Sequence, residues 1–171
     1  MTPPAKAHTP LTNPSEKSMN LILWRHAEAE ILRPGQDDLE RELTSKGRRQ
    51  AERMAQWLDQ RLPDSARVLV SPAARTQQTV APLGRRFKTV PALAPERSVD
   101  DLLAAAGWPA ADETVLVVGH QPTLGMVAAR LLCGADQAWS VKKGAVWWLE
   151  RRERKGQVQV TLQAVHNAGK S

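Results

Sequence analysis

The sequence predicts a three-layer α/β sandwich, one domain with a mostly parallel central sheet and an antiparallel hairpin addition. Three observations carry this. Short continuous apolar runs stand at residues 21–24, 68–70 and 115–118, the pattern of strands buried on both faces of a parallel sheet. Helical segments lie between them, so strand and helix alternate. The last third changes character: residues 145–149 and 158–165 are strand-like and are joined by a charged stretch containing Gly156, the signature of a hairpin.

Taken in order, residues 1–18 hold four of the twelve prolines and hardly any large apolar side chain. Ordering them would cost backbone entropy that burial could not offset, so they are expected to be a disordered tail, with the domain at 19–171. After the first apolar run, Thr44 is placed to N-cap a helix carrying Ala51, Met54, Ala55, Leu58 and Leu62 at spacings of three and four. Ser71-Pro72 reads as the cap and first position of a second helix, ending near Gly84. A third helix spans about 98–106, stopped by Gly107 and Pro109, and a fourth runs from Pro122 to Leu132. In the last strand Val158, Val160, Leu162 and Ala164 alternate with Gln157, Gln159, Thr161 and Gln163, which predicts an edge strand with one wet face.

Composition excludes several classes of function. No apolar run reaches the roughly 18 residues needed to cross a bilayer, and the start lacks the apolar core of a secretory signal, so a cytoplasmic protein is expected. Cys133 is the only cysteine, which rules out an internal disulfide or a four-cysteine zinc site; its Leu-Leu-Cys-Gly setting suggests a buried thiol. Of four histidines, His8 lies in the tail and His166 near the C-terminus, so no metal cofactor is expected. The formal charge of +6 attracts phosphate esters, acidic proteins and nucleic acid alike. Its densest part is residues 142–155, with six basic and two acidic residues, of which 151–155 reads as a solvated turn.

In open parallel sheets ligands bind beyond the carboxyl ends of the strands. Arg25-His26 follows the first apolar run, Ser71 with Arg75 the second, and Gly119-His120 the third. Singly, Arg75 could be a surface residue, Ser71 a cap and His120 a turn residue. Together they bring two arginines and two histidines to one sheet edge, and that is a site for a dianion. Guanidinium forks match phosphate oxygens, neutral imidazole is a competent nucleophile, and phosphoryl transfer asks mainly for alignment and charge neutralisation.

The segments Leu-Trp-Arg-His-Ala-Glu-Ala, Ser-Pro-x-x-Arg-x-x-Gln-Thr and Val-Gly-His-Gln-Pro, in this order, resemble the three signatures of the histidine phosphatase superfamily, and residues 43–51 are similar to its Leu-Thr-x-x-Gly-x-x-Gln-Ala helix opening. Within it, the short chain and Arg-His-Ala-Glu-Ala most resemble the small SixA-type phosphohistidine phosphatases. The resemblance covers about residues 19–165. It implies a phosphoglycerate mutase-like fold, His26 as nucleophile, and Arg25, Arg75 and His120 as the phosphate pocket.

The larger members carry Arg-His-Gly and a later threonine where this chain has Ala27 and Ala29, which weakens a mutase reading. Their usual acid falls on Ala92, leaving Glu96 and Glu28 as substitutes. An imidazole leaving group that is already protonated departs neutral without such an acid, whereas an alkoxide needs one. The interval 79–119 has room for one helix and two short strands but no large lid. Both features favour phosphohistidine on a partner protein as substrate, in a metal-independent reaction with the basic rim assisting encounter. Asp37-Asp38 is expected in the loop near the site entrance. The alternatives are a broad small-molecule phosphomonoesterase or mutase on the same site, and a phosphate- or nucleic-acid-binding module without turnover. The nucleic-acid version fits poorly, because the tryptophans make no stacking row.

Overall fold

A computed structural model describes residues 16–169. Six strands and four α-helices alternate as the sequence predicts: β1 (Glu16–Arg25), α1 (Ser45–Asp59), β2 (Arg67–Val70), α2 (Ala74–Val80), β3 (Lys88–Thr89), α3 (Val99–Ala106), β4 (Thr114–Gly119), α4 (Thr123–Cys133), β5 (Val146–Arg154) and β6 (Gln157–His166). The sheet order is β3-β2-β4-β1-β5-β6, parallel across β3, β2, β4 and β1 and antiparallel from β1 to β5 and β6.

The two central parallel strands explain the continuous apolar runs. Along β1, Leu21 and Leu23 join Val115 and Val117 in a core with Leu102 of α3 and Leu124 and Val127 of α4. Ile22 and Trp24 face the other way, with Leu116 and Val118, onto Met54 and Leu58 of α1 and Val80 of α2. Each face therefore needs its own apolar set, and every residue of β4 is buried. Full burial of one such side chain is worth about 1.5–3 kcal/mol, so these two strands anchor both layers. Among the described residues no helix is long and apolar enough to cross a membrane.

Several expectations need correction. β1 begins at Glu16, so residues 16–18 are paired with Arg154, Glu153 and Arg152 rather than part of a tail; residues 1–15 lie outside the described residues. Ser71 does not cap α2, which starts at Ala74 after an extended Ala73. Leu62 is buried but follows the end of α1. Residues 151–154 continue β5 and only Lys155-Gly156 make the turn, because the antiparallel ladder with β1 and β6 holds those arginines in the strand. β6 is the predicted edge strand; its ladder with β5 shifts register at Trp148/Leu149, and Val158, Leu162 and Val165 are exposed. Cys133 is not buried as expected but exposed, as the last residue of α4. None of the six tryptophans is exposed: Trp24 is fully buried, and Trp147 and Trp148 pack into opposite cores.

Candidate active site

The carboxyl ends of β1, β2 and β4 are held side by side past the strands themselves. His26 N–H donates to Gly119 O at 3.2 Å and Ser71 N–H to Val118 O at 3.1 Å, continuing the register that pairs Arg25 with Gly119. The sheet thus delivers Arg25, His26, Ser71 and His120 to one edge, and α2 adds Arg75 in its first turn. Arg25, His26, Arg75 and His120 line one cavity of about 320 Å³, so the sequence-predicted set does converge. A larger depression of about 520 Å³, lined by Arg152, Lys155 and neighbours at the tip of the β5–β6 hairpin, contains no histidine.

His26 is nearly buried, and its Nδ1 lies 2.8 Å from Ala27 O. A carbonyl can only accept, so Nδ1 carries the hydrogen and Nε2 keeps its lone pair. Burial lowers the pKa to about 4; the Ala27 bond opposes this, and the charges of Arg75, Arg25 and Arg41 reinforce it. The ring is neutral and nucleophilic at neutral pH. The His120 ring centroid is 5.3 Å away. Its Nε2 is 2.8 Å from Ser71 Oγ, which also accepts from Ala73 N–H at 3.2 Å. A hydroxyl can accept twice as well as donate, so the direction of this bond follows the His120 tautomer; Nδ1 is buried without a protein partner. Burial first, then Arg75 and His26, push the His120 pKa down to about 3.

The arginines are held at their ends and unsatisfied at their Nε. Arg25 donates from one terminal nitrogen to Val141 O at 2.9 Å. Arg75 donates to Asp38 O at 2.8 Å and to Asp38 Oδ2 at 2.9 Å. Both Nε–H groups are buried without a partner. Buried donors of this kind are rare enough in folded proteins to require an explanation, and a bound oxyanion supplies one. Among the described residues no three His, Cys, Asp or Glu side chains gather as metal ligands.

The two candidate acids separate. Glu28 does not line the cavity: its carboxylate accepts from Thr44 Oγ1 at 2.8 Å, and its backbone is clamped by α1, with Gln50 Oε1 accepting from Glu28 N–H at 3.0 Å. Glu96 does line the cavity, is exposed, and has a positive φ of 69°. Ala92 sits in a short 3-10 turn beside His120, with no carboxylate. Asp38, foreseen near the entrance, is the partner of Arg75, while Asp37 accepts from Leu39 N–H.

Sequence reading missed two cations that also line the cavity, Arg41 and Lys143. Arg41 follows Asp38 by three residues and is tethered to it at 3.1 Å; only its proximity to the Leu-Thr-x-x-Gly segment could have marked it. Lys143 lies in the basic run 142–155 but outside the part that reads as a solvated turn, and no motif marked it. Thr79 was also missed as a support: its hydroxyl donates to Arg75 O at 2.7 Å and accepts from Ala27 N–H at 3.1 Å, tying the arginine's helix to the histidine's loop.

A six-stranded mixed sheet between helical layers thus carries two neutral histidines and two clamped arginines at its carboxyl edge, the donor set of a phosphatase-type pocket. Comparison with known proteins makes this specific. Residues 21–100 match the histidine phosphatase superfamily (branch 1). The chain is 33% identical over 132 residues to the phosphohistidine phosphatase SixA homolog of Haemophilus influenzae, covering 66% of this chain and 77% of that one. It is 31% identical over 125 residues to phosphohistidine phosphatase SixA of Escherichia coli, covering 68% and 76%. Among solved structures, a chain from Nakamurella multipartitia assigned to the SixA phosphohistidine phosphatases superposes with TM-score 0.70 at 32% identity, covering 88% and 96%. The protein histidine phosphatase SixA complexed with tungstate superposes at 0.69 and 27% identity, covering 88% and 97%. The chain belongs to the histidine phosphatase superfamily. It is a phosphatase with the phosphoglycerate mutase-like fold.

Proposed function

We propose that the protein hydrolyses phosphohistidine on a partner protein without a metal, through a phosphoryl intermediate on His26. The observation that carries this is the neutral His26 Nε2 in a cavity lined by residues whose buried Arg25 Nε–H, Arg75 Nε–H and His120 Nδ1 have no protein partner. In the first step Nε2 attacks phosphorus in line, the new N–P bond forms as the substrate's imidazole N–P bond breaks, and the imidazole leaves neutral if protonated on its other nitrogen. The two Nε–H groups, and His120 in the tautomer protonated on Nδ1, hold the equatorial oxygens as charge redistributes. In the second step water attacks phosphorus, releasing inorganic phosphate and restoring His26. Arg25, Arg41, Arg75 and Lys143 supply the positive charge that a metal would otherwise bring.

The relatives named as phosphohistidine phosphatases support the substrate class, and tungstate, a tetrahedral oxyanion, in one of them supports an oxyanion pocket. A cytoplasmic location goes with this reading. Glu96 favours one second reading: a carboxylate lining the cavity from a strained backbone could protonate an ester oxygen, so phosphomonoester hydrolysis on the same site is the alternative.

The test is incubation with ³²P-phosphohistidine protein and, separately, with phosphomonoesters, in EDTA, followed by mapping of acid-labile label. Label on His26 with faster turnover of the phosphohistidine protein is the expected result. Label elsewhere overturns the mechanism, and faster ester turnover overturns the substrate preference.

A further inference from the structure

Between Ala29 and Leu43, which pair as an isolated antiparallel bridge, the chain makes an excursion that begins and ends on the wall of the cavity. Its base is closed by Glu30 N–H to Glu42 O at 2.8 Å and by Arg41 to Glu30 O at 3.2 Å, and its middle is fastened to Arg75 through Asp38. Further bonds order its tip, where Arg33 and Gln36 bond each other at 3.1 Å. An anchored loop of this kind has no folding reason to present apolar side chains to water. Yet Ile31 is 88% exposed, Leu32 47% and Leu39 41%, so this one loop holds three of the seven exposed large apolar side chains among the described residues.

Beside it the cavity mouth is cationic. Arg41 and Lys143 line the cavity, and Lys142 and Lys143 line an adjoining groove of about 400 Å³ that shares Arg25. A small phosphorylated molecule held in the cavity would not reach Ile31 or gain from it. A protein surface would, provided its phosphorylated histidine stood beside an apolar patch and among acidic residues.

Resting on the substrate reading above, we propose that loop 30–42 is the docking element for the phosphohistidine-bearing protein. Ile31, Leu32 and Leu39 bury against an apolar patch next to its phosphohistidine, while Arg41, Lys142 and Lys143 meet the acidic residues around it. Apolar anchors set how long the complex lasts, and the charges raise its rate of formation.

The experiment uses the full chain and the variant Ile31→Glu/Leu32→Glu, with Val158→Glu as a control on the distant hairpin. Two substrates are compared: free N-phosphohistidine, and acidic proteins phosphorylated on histidine with phosphoramidate. Expected for the loop variant is a rise of about ten-fold or more in KM for the proteins with kcat kept, and turnover of free N-phosphohistidine unchanged within two-fold. Val158→Glu should behave as wild type on both. Equal losses on both substrates would mean the loop only supports the cavity, and no loss on either would mean it does not dock; each overturns the proposal. If wild type dephosphorylates neither free N-phosphohistidine nor the phosphorylated proteins, the substrate reading itself falls and the docking proposal falls with it.

Discussion

Arg75 is held by both of its terminal nitrogens on Asp38, yet its buried Nε–H faces no protein acceptor. The carboxylate fixes the plane of the guanidinium and the remaining donor is left for a ligand oxygen. Lysine would keep the charge and lose that division of labour, since an ammonium is a point donor on a flexible stem. Arg75→Lys is therefore expected to lower kcat/KM by about 10²-fold, the usual consequence of removing one aligned donor to a transition-state oxyanion. Steady-state kinetics with circular dichroism to verify folding will measure this. Glu96 is the residue on which the two substrate readings diverge. General acid catalysis contributes about 10²–10⁴-fold where a leaving group needs a proton. Glu96→Gln should then depress phosphomonoester turnover by at least about 10²-fold if the acid is used, and change phosphohistidine turnover by less than about three-fold because imidazole leaves without it. Equal loss on both substrates would assign Glu96 to binding rather than to proton transfer.

At the scale of elements, the start of α1 turns out to be a clamp on the loop that follows His26. Thr44 accepts from Gly47 N–H as the N-cap and donates to the Glu28 carboxylate, Gln50 accepts from Glu28 N–H, and Gly47 lies so close that a Cβ there would stand 2.0 Å from Glu28 O. The Leu-Thr-x-x-Gly-x-x-Gln segment is thus one device for setting the backbone two residues past His26. Gly47→Ala must push that carbonyl aside, and overpacking of this kind costs about 1–3 kcal/mol. Both a lower urea midpoint and a lower kcat are expected, whereas an unchanged kcat would separate the clamp from catalysis. The same elements define what was legible beforehand. The apolar runs of β1, β2 and β4 announced themselves because burial on two faces leaves no polar residue in the run, and the residues after them fell at the site by topology. Ser71 was misread as a cap because Ser-Pro before a helix has the same local signature as a turn whose hydroxyl serves another strand end. Arg41 and Lys143 reach the cavity from loops, where no periodicity marks which of many basic residues points inward. In β6 the ladder skips Gln163 between Ala164 and Leu162, a pairing detail that its own alternation does not announce.

For the whole molecule, two neutral buried histidines in a chain of net charge +6 make acid stability a property of the site. Both are depressed from the ordinary 6.5, His26 to about 4 and His120 to about 3, so unfolding between pH 6.5 and about 4 takes up protons that the folded state refuses. The sign follows from linkage: the unfolded state binds more protons in that window, so stability is full above pH 6.5 and falls as pH drops through it. Near pH 5 the two sites together approach, without exceeding, a slope of about 2.7 kcal/mol per pH unit, twice the 1.36 kcal/mol of one proton. Carboxylates held low by arginine, such as Asp38 and Asp136, change stability in the same direction but at lower pH, because they begin from 3.8. The window from pH 6.5 to 4 therefore belongs to the histidines. Urea midpoints measured across it should fall steeply for wild type and much less for His26→Gln/His120→Gln, which cannot take up those protons. Equal slopes would mean that general charge repulsion, not the site, drives acid unfolding. Inorganic phosphate adds a second check, since an anion that binds only the folded site raises the midpoint by mass action. That gain should appear in wild type and vanish in the double variant.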